Sequence, residues 1–272
     1  MTSRVPEHGA EDVLRHTPRP RRVLVTGAAR GLGAALTTAF RARGDEVLAT
    51  DLDGEVAGVD LRLDVTSDDD WAAALAHVER TWGGLDVLVN NAGVAGGGRL
   101  DVASLDEWRW ITDIDLFGVV RGIRAFTPLL KSQGHGHVVN VASLAGLVHP
   151  AGMASYNAVK AAVVALTETT GHELAAYGVR ASVVCPSYFR TGLVDRMRAE
   201  DAALGAVIGR LVESAPLGPD EIAAEVLAGI DRGEELILPD PAARAAYQLK
   251  RGDRAAYDLQ MRHQAARLQE LA

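Results

Sequence analysis

The chain has 272 residues, 48% hydrophobic and 24% charged, with a formal net charge of −8 at pH 7. That length holds one large α/β core, and the composition excludes both a disordered chain and a membrane bundle, since no run reaches the ~18 apolar residues of a spanning helix. The acidic balance argues against nonspecific nucleic-acid binding, and the single cysteine, Cys185, has no partner for an internal disulfide, which fits a reducing cytoplasm.

Residues 1–20 mix charges and prolines without a hydrophobic period, so they read as a flexible tail with no apolar core of a secretory leader. Val23-Leu24-Val25-Thr26 is an apolar run closed by glycine, the pattern of a strand buried on both faces. A helix is expected over 31–43, strands at 46–50 and 61–64, and a helix over 67–82. Only twelve residues separate Asp51 from Asp64, too few for a full crossover helix. A strand at 85–90 and a long helical stretch over 104–131 follow. Then come a strand at 137–142, a helix over 154–177 and a strand at 179–185. Helical segments over 191–213 and 219–232 precede a last strand at 235–238. Residues 241–272, rich in Ala, Arg and Gln, read as a helical extension broken near Gly252. Strands alternating with helices imply right-handed crossovers: one doubly wound α/β domain over 21–240, a parallel sheet of about seven strands with helices on both faces.

Between the first strand and the first helix stands Gly27-Ala28-Ala29-Arg30-Gly31-Leu32-Gly33. Glycines there let the backbone approach a pyrophosphate, and the free N–H groups of the helix start attract it. The spacing is G-x-x-x-G-x-G rather than the common G-x-G-x-x-G, and alone it is weak evidence. Asp51 ends the second strand, where a carboxylate accepts from the adenosine ribose hydroxyls and repels a 2′-phosphate, favouring NAD. Arg30 pulls the other way, because a guanidinium beside the loop could hold that phosphate, so NADP stays open.

Only three of the 28 basic residues are lysines: Lys131, Lys160 and Lys250. Tyr156 and Lys160 are four apart, on one face of a helix. Chance gives a Y-x-x-x-K match about 0.06 times in this composition. A nearby ammonium favours a phenolate, which makes tyrosine a usable base near neutral pH. Ser143, thirteen residues upstream of Tyr156 and just past the fifth strand, is placed to hold a substrate oxygen.

Taken in order, these motifs resemble the short-chain dehydrogenase/reductase family over most of the chain. Thr26-Gly27…Gly31-Leu32-Gly33 is similar to its TGxxxGxG, Asp64-Val65 to its adenine-binding pair, and Asn90-Asn91-Ala92-Gly93 to its NNAG. Ser143, Tyr156 and Lys160 match its catalytic serine, tyrosine and lysine. Cys185-Pro186 through Phe189 and Thr191 sits where its nicotinamide-contacting PGxxxT segment falls. The resemblance implies a Rossmann-like fold and an oxidoreductase that interconverts a secondary alcohol and a ketone with NAD or NADP. In that scheme Tyr156 is the acid/base, Lys160 lowers its pKa and binds the ribose, and Ser143 positions the substrate oxygen. It also implies a homo-oligomer, dimer or tetramer.

Three departures stand out. Asp115 replaces the family's usual asparagine, whose backbone carbonyl helps hold a relay water, and adds a carboxylate near Lys160. Ser187 replaces the glycine of the PG pair, and the family's C-terminal glycine pair is missing. A competing reading is a dinucleotide-binding module with dead chemistry, although such proteins tend to lose the tyrosine or the lysine and this chain keeps both.

The stretches that border the family's substrate pocket hold Leu144, His149, Met153, Tyr188 and Phe189, a lining that suits a fairly apolar small-molecule alcohol or ketone. His135 and His137 lie in a glycine turn with no further ligand nearby, so they read as a surface turn and no metal site is expected. Cys185 reads as a small buried hydrophobe. Arg190, Arg196 and Arg198 read as solvated helix charges.

Overall fold

The computed structural model describes residues 19–192, 198 and 200–270. Nearly all of the expected N-terminal tail, and Arg196, lie outside these residues. Seven strands form one parallel sheet: β1 (Arg22–Thr26), β2 (Glu46–Asp51), β3 (Leu61–Arg62), β4 (Val87–Asn90), β5 (Gly136–Val141), β6 (Val179–Val184) and β7 (Leu236–Ile237). Their order is β3-β2-β1-β4-β5-β6-β7. The chain therefore runs outward from β1 and then returns to start again at β4. A crevice opens where the two directions part, at the carboxyl ends of β1 and β4.

Alternation within β1 divides the core. Val23 and Val25 point to one face, against Leu36 and Phe40 of α1 (Gly31–Ala42) and Ile222, Val226 and Ile230 of α8 (Pro219–Arg232). Leu24 points to the other, with Trp71 of α2 (Asp68–Trp82), Phe126 of α4 (Gly118–Gln133) and Leu174 of α6 (Ala154–Leu174). Cover on both faces is what permits such uniformly apolar strands. No helix among the described residues is long and apolar enough to cross a membrane.

The structure departs from the sequence expectation in identifiable places. No helix connects β2 to β3, as the short spacing required. β3 stops at Arg62 because the Asp64 N–H turns to the Asp70 carboxylate at 2.8 Å. The stretch expected as one helix over 104–131 is instead α3 (Leu105–Thr112), a wide π turn (Asp113–Phe117) and α4. The extra residue of a π turn re-aims a side chain, and here Asp115 ends up 0% exposed. Within the helix expected over 191–213, α7 covers Ala202–Glu213, and residues 193–197 and 199 lie outside the described residues. Asp201 caps α7: its carboxylate accepts from Leu204 N at 3.2 Å and pairs with Arg99 Nε at 2.6 Å. A short α5 (Ala145–Val148), unforeseen in the sequence, follows β5, and α9 (Pro241–Gly252) and α10 (Arg254–Glu270) close the chain. Of the three arginines read as helix charges, Arg190 precedes α7 and donates to Ala215 O and Pro216 O, while Arg198 lies over Trp110.

The reading of both histidines as a surface turn is corrected for His137, which is the second residue of β5 and 3% exposed. Its Nε2 meets Ser182 Oγ at 2.7 Å, and that hydroxyl donates to Glu234 O. Nε2 must therefore be the donor, and Nδ1 is buried as an unprotonated acceptor. Burial, helped by the charges of Arg180 and Arg21, pushes the His137 pKa down to about 4. The unfolded chain thus binds a proton near pH 6.5 that the fold rejects, so stability falls as the pH drops from there towards 4. Chemical denaturation should show about 2 kcal/mol less stability at pH 5 than at pH 8 from this group. This loss should be absent in His137→Gln, so the wild-type-minus-variant difference should carry it; an identical pH dependence in both would contradict it.

Candidate active site

A continuous cleft of about 670 Å³ follows the carboxyl edge of the sheet from the β1–α1 turn to α10. At one end, two glycines have a steric reason. Gly27 has φ +67°, and a Cβ there would stand 2.8 Å from Ala92 Cα; a Cβ on Gly33 would stand 2.1 Å from Gly27 O. Side chains at either position would force the β1–α1 turn away from the loop after β4 or from the start of α1, so these glycines permit the close-packed turn at a helix N-terminus that fits a dinucleotide's pyrophosphate. Arg30, Gly31 and Leu32 line the same turn, and Thr191 reaches it from beyond β6.

Asp51 is held rigidly at the end of β2, its carboxylate accepting from Ala29 N at 3.0 Å and Asp53 N at 3.2 Å. Arg30 is exposed and pairs with no acidic residue among the described residues. Asp64 Oδ1 accepts from both the N–H and the hydroxyl of Thr66, leaving Oδ2 open to the cleft beside Val65. Ala92 and Gly93 line the cleft, while the Asn91 side chain works on the loop itself, donating to Thr26 O at 2.9 Å and Gly27 O at 3.3 Å.

Midway along the cleft β5 delivers Ser143 and the first turn of α6 delivers Tyr156. Ser143 Oγ accepts from Ala145 N at 3.1 Å, and the Ser143 hydroxyl favours the ionised form of the Tyr156 phenol. One turn on, Lys160 is buried, its Nζ 5.7 Å from the Tyr156 ring centroid, 3.3 Å from Val141 O and 3.0 Å from Asp115 Oδ2. Asp115 Oδ1 accepts from Val94 N at 2.8 Å, so this carboxylate braces the loop after β4 as well as the lysine. It lies behind Lys160 rather than on the cleft wall.

The charges act against one another. Burial pushes the Tyr156 phenol above its ordinary value; Lys160 opposes that shift and Asp115 reinforces it. The neighbouring ammonium acts in the expected direction, and burial outweighs it. Burial also works against the Lys160 ammonium, but the Asp115 carboxylate and Tyr156 outweigh it, and the lysine stays above its usual range. Burial raises Asp115 against the attraction of Lys160. Cys185 is pushed up to about 12 by burial, which closes it as a nucleophile at neutral pH.

The far end of the cleft is apolar. Leu144, Met153, Tyr188 and Phe189, read from the sequence as pocket lining, line the cleft, as does Pro186 of the segment read as contacting nicotinamide. Tyr188 OH lies 3.6 Å from Met153 Sδ, linking the loops that carry them. His149 does not join this lining. Its ring turns away, with Nε2 on Gly146 O at 3.1 Å and Nδ1 2.7 Å from Lys250 Nζ. Trp110, Ile208, Val212 and Gln264 line the cleft without having been singled out. The i, i+4 spacing of Ile208 and Val212 was a visible helical face, but nothing local shows which surface it meets. Among the described residues no group of acidic, histidine or cysteine side chains could hold a metal.

The fold and the glycine cradle define a dinucleotide-binding enzyme of the doubly wound class. A family model described as short chain dehydrogenase matches residues 21–202. A 3-alpha-(or 20-beta)-hydroxysteroid dehydrogenase of Mycobacterium bovis is 37% identical over 182 residues, 63% of this chain and 70% of that protein. A short-chain dehydrogenase/reductase from Burkholderia phymatum in complex with NAD superposes with a TM-score of 0.79 at 31% identity, covering 89% of this chain and 95% of that one. One from Burkholderia cenocepacia in complex with NADP gives 0.77 at 29% identity, covering 89% and 97%. The chain belongs to the short-chain dehydrogenase/reductase family and is an NAD(P)-dependent oxidoreductase acting on CH–OH groups.

Proposed function

We propose that the protein interconverts a secondary alcohol and a ketone on an apolar, cyclic substrate, with NAD as the preferred cofactor. The observation that carries this reading is the meeting of Ser143, Tyr156 and Lys160 on the floor of one cleft, between a glycine cradle and an apolar chamber. The nicotinamide supplies the hydride acceptor or donor. Gly27 to Gly33 and the start of α1 would hold its pyrophosphate, Asp51 the adenosine ribose, Asp64 and Val65 the adenine, and Lys160 the second ribose. Ser143 donates a hydrogen bond to the substrate oxygen, and Tyr156 takes the alcohol proton during oxidation or returns it during reduction.

Asp115 sets this chain apart. Its carboxylate keeps Lys160 charged and in place while cancelling part of the field that would otherwise stabilise a Tyr156 phenolate. Tyr156 also faces Ser143 and the uncharged Cys185, so Lys160 and Asp115 are the two charges that decide its proton affinity. The NAD preference rests on Asp51, whose fixed carboxylate would meet a 2′-phosphate head on. The NADPH reading rests on Arg30 alone, which is free to swing over the adenosine. The apolar lining, and a relative named for hydroxysteroids, support a cyclic substrate. Exposed Leu105 and Phe117, beside Trp108 on a shallow groove, support self-association, and the buried thiol of Cys185 suits a cytoplasmic setting.

Tyr156→Phe should cut turnover by about a thousandfold or more while NADH binding, read by fluorescence titration, stays within about threefold. An active variant would overturn the mechanism. NADH should bind at least about tenfold more tightly than NADPH, and Asp51→Ala should narrow that gap. In Asp115→Asn the acid limb of the pH–rate profile for oxidation should move down by about one unit, because removing the negative charge favours the phenolate. An unmoved limb would show that Asp115 does not tune Tyr156.

A further inference from the structure

The C-terminal helices are tied to both loops that flank Tyr156. At the start of α9, Asp240 accepts from Ser187 N at 2.9 Å and Ser187 Oγ at 2.6 Å while capping its own helix through Ala243 N at 2.8 Å. Near its end, Lys250 Nζ donates to Leu147 O at 2.6 Å and to His149 Nδ1 at 2.7 Å. His149 Nε2 can only donate to Gly146 O, which leaves Nδ1 as the acceptor that Lys250 needs. In α10 the Tyr257 hydroxyl donates to Val148 O.

Beyond these anchors α10 crosses the substrate half of the cleft. Leu268 is 7% exposed and belongs to the same apolar cluster as Met153, Tyr156 and Ile208. The seat is tight: a Cβ on Gly152 would stand 2.9 Å from Leu268 Cδ1. One turn earlier on the same helix, Gln264 lines the cleft, on a wall otherwise built from Trp110, Ile208, Leu211 and Val212. A carboxamide on an apolar wall prefers a substrate that offers it a donor or acceptor, because a purely hydrocarbon partner strips its water and returns no hydrogen bond.

We infer that α10 is the end wall of the substrate chamber and that Gln264 is a specificity-determining residue. It receives a second oxygen function of the substrate, remote from the carbon that reacts with hydride. The preferred substrates are cyclic or fused-ring secondary alcohols that carry another keto or hydroxyl group at the far end. This rests on the alcohol–ketone reading above and narrows its substrate class.

The test uses two alcohols on one fused-ring skeleton, one bearing a keto group at the end away from the reacting hydroxyl. Wild type should favour the keto alcohol in kcat/KM, and Gln264→Leu should lower that preference about tenfold or more, through KM rather than kcat. NADH titration of Gln264→Leu should stay within about threefold of wild type, which shows the variant folded. An unchanged preference in Gln264→Leu would overturn the inference. Failure of wild type to turn over either alcohol would instead overturn the alcohol–ketone reading, and this inference with it.

Discussion

The site depends on one buried ion pair. An ammonium placed in the interior is costly unless a carboxylate and further acceptors meet it, and Lys160 finds both in Asp115 and Val141 O. Because Asp115 also holds Val94 N, the pair fastens four pieces of chain together: the loop after β4, the π turn between α3 and α4, the end of β5 and the first turns of α6. Those pieces carry the cofactor cleft and Tyr156. The same carboxylate that makes the lysine tolerable in the core weakens its pull on the tyrosine, so anchoring and proton affinity are set by one contact.

A second coupling joins two departures that looked unrelated along the chain. Ser187, in place of a glycine, and the unusual end of the sheet meet through Asp240, which binds the Ser187 N–H and hydroxyl and starts α9. The serine gives the cofactor-side loop a handle that glycine lacks, and the extension uses it. Lys250 does the same for the loop after α5, where His149 holds the left-handed conformation at φ 55°, an uncommon state for a residue with a Cβ. The scarce lysines are thus each specifically placed: Lys160 in the site, Lys250 on the latch, and Lys131 4.4 Å from the centre of the Tyr177 ring.

Much of the fold was legible because its signals are local. Val23 to Thr26, the glycine turn and the i, i+4 pair of Tyr156 and Lys160 each announce an element within a few residues. The two misread histidines share a cause, since both were decided by partners distant in sequence. His137 is buried because Ser182 and Glu234 stand beside β5. His149 leaves the pocket because Lys250 claims its ring.

By itself the sequence determined the doubly wound class, the succession of strands and helices along the chain and the placing of Ser143, Tyr156 and Lys160 within it, since periodicity and short spacings are properties of neighbouring residues. Only the tertiary structure decided that Asp115 faces Lys160, that burial outweighs the ammonium at Tyr156, and that Gln264 of α10 lines the cleft. Burial, ion pairing and pocket shape depend on which surfaces meet across the chain, and no local pattern carries that information.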